Sequence, residues 1–237
     1  METPDASTLL RVWERGTQQS AVNRGLLLLA AVFPERPVEQ LASFTLGERD
    51  SALLSLRERL FGARIECLTR CDSCGENIEL DFGVDGIRAE AGRSDAIHEV
   101  EVDGAVVSFR LPNSLDLRAI EAMPDESTAQ RALLARCVVG NTALPLTDSL
   151  ASAIDARMSE ADAQAQVQLA IGCPACKRDF RAPFFVPPFL WSEIERWARA
   201  ILRDVHVLAS VYGWTEPEVL ALGNARRRAY LEMVGAV

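Results

Sequence analysis

The chain has 237 residues, 49% of them hydrophobic, and carries a formal net charge of −9. That is enough apolar material for one large domain or two small ones, and the acidic balance disfavours a phosphate-binding surface. The longest apolar run, Gly25 to Phe33, has nine residues against the roughly 20 of a spanning helix, and the opening METPDASTLL lacks the basic start and cleavage pattern of a secretory signal. The expectation is a soluble, cytoplasmic protein in which thiols stay reduced, so that paired cysteines point to metal rather than to disulfides.

The N-terminal third reads as helical. Ser7 and Thr8 are placed to cap a helix through Leu9, Leu10, Val12 and Trp13. A second helix is expected over Ala21–Phe33, stopped by Pro34 and Pro37. Thr45 or Gly47 opens a third. Its apolar positions Leu53, Leu54, Leu56 and Leu60 make one face, and Glu48, Arg49, Asp50, Arg57, Glu58 and Arg59 make the other. Such a charged face is expected to be solvated.

Six cysteines occur, and four fall in two pairs of one design. "CDSCGENIEL" supplies Cys71 and Cys74; "IGCPACKRDF" supplies Cys173 and Cys176. Two intervening residues let the backbone curl so that both sulfurs of a pair face one ion. A strand-like stretch follows each pair, Glu79–Phe82 after the first and Phe180–Phe185 after the second, and the alternation Val167–Ile171 precedes the second. Strand, knuckle and returning strand make half of a zinc ribbon. Separate knuckles in compact ribbons stand some 15–20 residues apart; here 98 residues lie between Cys74 and Cys173, which reads as an insertion into a split ribbon. A redox CxxC and two unrelated pairs are the alternatives. The redox reading is disfavoured because a strand, not a helix, follows each pair. Cys67, four residues before Cys71, is placed to compete as a ligand. Cys137, on the apolar pattern "ALLARCVVG", reads as a small core residue.

The insertion is acidic and mixed in structure. Residues 71–130 hold 14 Asp and Glu against 4 Arg, so no nucleic-acid groove is expected there. "HEVEVDGAVVSFRL" alternates on both sides of Asp103-Gly104, a tight-hairpin signal, and Pro112 ends it. Helices are expected at Leu115–Met123, Thr128–Val139 and Ser149–Met158. His98 opens the hairpin, and the other histidine stands far off at position 206, so neither a histidine metal site nor a histidine base is supported.

From Trp191, apolar residues recur at Ile194, Ala198, Ile201, Val205, Leu208 and Tyr212. This is heptad spacing, widened by Leu202 and Ala209, and the favoured reading is a long amphipathic helix packed on its own chain. Gly213 breaks it, Thr215 caps a short helix with Pro217 and Glu218 in its first turn, and a last helix runs through Arg226–Arg228, Tyr230, Leu231 and Val234. The apolar surplus and the aromatics Trp197, Tyr212 and Trp214 mark these helices as a candidate partner-binding face.

No phosphate loop, nucleophile elbow, H-E-x-x-H or Cys–His pairing appears in the sequence, so binding or assembly is expected rather than an enzyme. "VWERG" at 12–16, "LGERDSALLSLRERLFG" at 46–62, "CDSCG" at 71–75, "VQLAIGCPAC" at 167–176 and "FLWSEIERWARAILRDVHVLASVYGWTEPEVLALGNARRRAYLE" at 189–232 follow one another in that order. Together they resemble a protein family of contractile-tail gene clusters related to the T4-type baseplate hub assembly chaperones. The resemblance implies an accessory role in building the baseplate of a phage tail or phage-like injection device. The implied partners are hub, spike or other tail proteins, with no enzyme activity. The resemblance does not carry a zinc site, which stands on the residues alone.

The sequence is therefore read as α+β and mostly helical, around a split zinc ribbon with an inserted β-hairpin and helices. The expected divisions are an N-terminal helical region over 1–66, the split ribbon with its acidic insertion over 67–188, and a C-terminal helical region over 189–237. One structural zinc on Cys71, Cys74, Cys173 and Cys176 is expected. The runner-up function is a zinc-ribbon regulatory or nucleic-acid-binding module, and the third class is an enzyme whose site the sequence does not display.

Overall fold

Asp5 starts the first helix, two residues earlier than Ser7: its carboxylate accepts the Thr8 amide at 2.8 Å and fills the N-cap role that Ser7 was expected to play. A computed structural model of the chain describes residues 2–140 and 146–236. The elements follow as α1 (Ala6–Gly16), α2 (Ala21–Val32), α3 (Val38–Ala42), α4 (Leu46–Phe61), β1 (Arg64–Arg70), β2 (Asn77–Gly83), β3 (Ile97–Val102), β4 (Ala105–Arg110), α5 (Ser114–Ile120), α6 (Glu126–Cys137), α7 (Asp148–Ala161), β5 (Gln168–Gly172), β6 (Asp179–Pro183), α8 (Val186–Tyr212), α9 (Glu216–Leu220) and α10 (Asn224–Met233). The fold is mixed α+β. Among the described residues the strands pair only as antiparallel hairpins: β1 with β2, β3 with β4, and β5 with β6.

The main core gathers Leu28, Leu29 and Val32 of α2, Leu53, Leu54 and Leu56 of α4, Ile65 of β1, and Leu190, Trp191 and Ile194 of α8. Gly16 ends α1 directly against the Trp191 indole, where any Cβ would collide with the ring. Arg24 covers the same indole, its guanidinium carbon 4.8 Å from the ring centroid.

Helix α4 departs from expectation. Thr45 does open it, in a reciprocal capping box with Glu48. Its polar side, however, is only partly solvated: Arg59 is exposed and Glu48 and Glu58 half-buried. Arg49, Asp50 and Arg57 are buried, because α2, α8 and the 162–166 segment pack around the helix. Its charges are instead matched internally. Arg49 pairs with Asp50 at 2.7 Å, and Arg57 reaches Glu193 of α8.

The insertion has its own core, with Val107 and Phe109 of β4, Leu134 and Cys137 of α6, and Leu150, Ile154 and Met158 of α7 packed together. Cys137 is fully buried, as its apolar neighbours require. Asp103 and Gly104, both at positive φ, make the tight turn between β3 and β4. Asp116 knits the unit. It accepts two hydrogen bonds from Arg110 of β4 at 2.6 and 2.9 Å and one from Arg136 of α6 at 3.1 Å.

At its neck the insertion is clasped to α4. The Asp162 carboxylate accepts the Gly47 amide at 2.9 Å and the Gly92 amide at 2.8 Å. Gln164 accepts from the Ala89 amide and donates to the Ile87 carbonyl. Both residues are buried, so these bonds satisfy polar groups that would otherwise be costly.

Helix α8 begins at Val186 with Pro187 and Pro188 in its first turn and ends at Gly213, whose φ of +72° gives the left-handed stop. Ile194, Ala198, Ile201 and Leu208 of the heptad stripe are buried within the chain, the packing that the amphipathic reading expected. The first half of α8 rests on the main core, and its end meets α9 and α10 through Leu208, Val219 and Leu231. Among the described residues no helix is long and apolar enough to cross a membrane.

Candidate metal centre

Each cysteine pair sits at the tip of a hairpin, Cys71 and Cys74 between β1 and β2, Cys173 and Cys176 between β5 and β6. The two tips repeat one backbone design. The Cys71 amide donates to the Glu76 carbonyl at 2.8 Å and the Gly75 amide to the Cys71 carbonyl at 3.0 Å. The Cys173 amide donates to the Arg178 carbonyl at 2.9 Å and the Lys177 amide to the Cys173 carbonyl at 3.0 Å. The residue after each second cysteine is left-handed, Gly75 at φ +77° and Lys177 at φ +62°. Glycine adopts that conformation freely, whereas lysine is strained there. A strained residue kept at the matching position indicates that the surrounding knuckle dictates the turn.

The tips face each other. The four sulfurs all lie within 4.8 Å of one another, with Cys74 to Cys173 at 3.6 Å and Cys71 to Cys176 at 3.8 Å. Arg178 donates to the Ser73 hydroxyl at 2.8 Å, tying one knuckle to the other. Ile78 and Ile171 are buried beneath, beside the buried Cys71 and Cys173, while Cys74 is exposed. This group of thiols can hold a metal ion.

The amides of Cys176 and Ala175 lower the Cys173 thiol to about 7, so thiolate is accessible near neutral pH. The Glu76 amide also acts to lower Cys74, but desolvation and the neighbouring thiols raise it to about 12. A shared cation would relieve the competition among thiols crowded in this way.

Cys67 is not part of the group. On β1 it pairs with Leu80 and packs toward the main core, and burial raises its thiol. Four positions before Cys71 along a strand places it well back from the tip, so the competition considered from spacing does not arise. Strand β1 itself was the missed element. Its alternation of Ile65 and Cys67 directly follows a helix and is broken by the exposed Leu68.

Of the three candidate partner-binding aromatics, Trp197 stands apart, whereas Tyr212 and Trp214 stack on each other. Trp197 is half-buried, packed against the main core and the Leu10, Ala198 and Ile201 cluster. Tyr212 is exposed at 38%. It stacks on Trp214 with centroids 4.7 Å apart, and Tyr230 meets both rings edge-on. His98 stacks on Phe109 at 5.6 Å inside the insertion, away from the thiols.

A family profile described as T4 bacteriophage base plate protein matches residues 5–140. The chain belongs to this baseplate family. The matched span covers α1 through α6, including Cys71 and Cys74 and about the first two thirds of the insertion. The second knuckle and helices α8 to α10 lie beyond it. No curated protein and no solved structure matches the chain.

Proposed function

We propose that the chain is a non-enzymatic baseplate accessory or hub-assembly protein of a contractile tail or phage-like injection system. It acts by binding hub, spike or other tail proteins, and a structural zinc closes its fold. The observation that carries the zinc reading is the meeting of two matching knuckles from opposite ends of a 98-residue insertion. Four thiolates around zinc at about 2.3 Å stand about 3.8 Å apart, close to the 3.6 and 3.8 Å separations of the two contacts between the knuckles. Four thiolates leave no open position for water or substrate, so the ion would staple rather than catalyse. It would fix the mouth of the insertion while Asp162 and Gln164 fix its neck.

The family supports the baseplate role, and the exposed Tyr212 supports binding by the C-terminal helices. Trp197 and Trp214 would act there mainly by supporting Tyr212 and the helix packing. The nucleic-acid alternative is disfavoured by the acidic balance of residues 71–130. The test is genetic. Cells carrying the tail cluster without this protein should yield particles lacking completed baseplates, and the wild-type chain should restore them. Normal baseplates without it would refute the assembly role.

A further inference from the structure

A groove of about 1080 Å³ lies open along α1 and α2. Its floor includes Leu27, Ala30 and Ala31, at helical spacing on α2. The opposite face of α2, Leu28, Leu29 and Val32, is committed to the core. Helix α2 has 12 residues, a run of about 18 Å, which matches the three turns over which a docked amphipathic helix presents its anchors. Small floor side chains allow the close axial approach of helix packing.

Arg11, Arg15 and Arg118 also line the groove. Arg11 donates to the Thr8 hydroxyl at 3.0 Å and Arg118 to the Asn23 side-chain oxygen at 2.9 Å. Among the described residues none of the three forms a direct ion pair, whereas Arg57, Arg110, Arg136 and Arg227 each do. Two acids, Glu2 and Asp5, also line the groove; Asp5 accepts from the Ser7 hydroxyl and the Thr8 amide and keeps its negative charge, which also acts on Arg11. The groove is thus slightly basic, three arginines against two carboxylates, with an apolar floor on an acidic chain. A nucleic-acid strand would satisfy the rim and leave the floor unused.

We propose that this groove docks an acidic amphipathic helix of a partner protein, with an apolar stripe on Leu27, Ala30 and Ala31 and carboxylates toward Arg11, Arg15 and Arg118. The site shares no residue with the thiol cluster or with Tyr212, so it stands or falls separately from the zinc and from the C-terminal face.

The test uses the full chain and labelled helical peptides of roughly 18 residues, five turns. One has a Leu stripe flanked by Glu, one has the same stripe flanked by Lys, and one has the Glu peptide's composition in scrambled order. Fluorescence anisotropy should show saturable micromolar binding of the Glu peptide, at least about tenfold weaker binding of the other two, and weakening as salt rises. The combined R11Q, R15Q and R118Q variant, shown folded by circular dichroism, should bind the Glu peptide at least about tenfold more weakly. No saturable binding of the Glu peptide would overturn the proposal. So would equal affinity for the Lys or scrambled peptide, or binding unchanged in the variant.

Discussion

Arg57 of α4 and Glu193 of α8 meet in a bidentate ion pair, both bonds at 2.9 Å, across 136 residues of sequence. The side chains are only 4% and 10% exposed, and a further Arg57 nitrogen donates to the Gly62 carbonyl at 2.7 Å. The pair therefore locks the long C-terminal helix to the central helix and holds the turn that feeds β1. Glu193→Ala would leave a buried guanidinium without its countercharge, and the chain should lose about 3–5 kcal/mol of stability. Urea titration checks this. The midpoint should fall with the slope unchanged.

Asp116 gives a pH-dependent case. Burial pushes its carboxyl up, but the hydrogen bonds from Arg110 and the Asn113 amide, with the charges of Arg110 and Arg136, hold it below the ordinary 3.8. A depressed folded-state value means stability that is present above 3.8 and is lost as pH falls through the folded value. Asp116→Asn should cost about 2 kcal/mol near neutrality, through a weakened capping box and lost charge-assisted bonds. The gap between wild type and variant should close as pH drops below about 4. Thermal melts from pH 7 to pH 3 read both quantities.

Tyr212 and Trp197 should separate binding from packing. Tyr212→Ala removes an exposed ring at the end of α8 and should leave the fold intact while weakening capture of purified hub or spike protein by about 2 kcal/mol. Trp197→Ala removes a half-buried ring between two internal clusters and should lower stability by about 2 kcal/mol. Unchanged capture by folded Tyr212→Ala would remove the C-terminal face from the mechanism.

Cys173→Ser should lose the metal and loosen the whole insertion. Opening a tie across about 100 residues returns roughly 4–5 kcal/mol of loop entropy to the unfolded chain. A chelator should act on wild type in the same direction and have little further effect on the variant. Hydrogen exchange should rise first in β1, β2, β5 and β6, and less in the core around Leu29 and Leu54.

The convergence of the two cysteine tips was legible because a thiol metal site would need fixed residue types at fixed local spacing, and the repeated Cys-x-x-Cys survives a long insertion unchanged. The hairpin at Asp103-Gly104 and the stop at Gly213 were legible for the same local reason, a backbone conformation that few residues adopt. Burial of Arg49, Asp50 and Arg57 was not legible. The carboxylate for Arg57 comes from Glu193, and cover for the helix from α8 and the 162–166 segment, more than a hundred positions away, so α4 looked amphipathic when much of its polar side is enclosed. The same distance hid the clasp between Asp162 and Gly47. The aromatic cluster was visible as composition, but which ring faces outward depends on how α9 and α10 fold back on α8.

The most direct test of the central claim is the metal itself. Protein purified without chelators should contain one zinc per chain by elemental analysis, and X-ray absorption should show four sulfur neighbours at about 2.3 Å. Protein that is folded yet free of zinc, or zinc with nitrogen or oxygen neighbours in place of the four sulfurs, would contradict a staple built from Cys71, Cys74, Cys173 and Cys176.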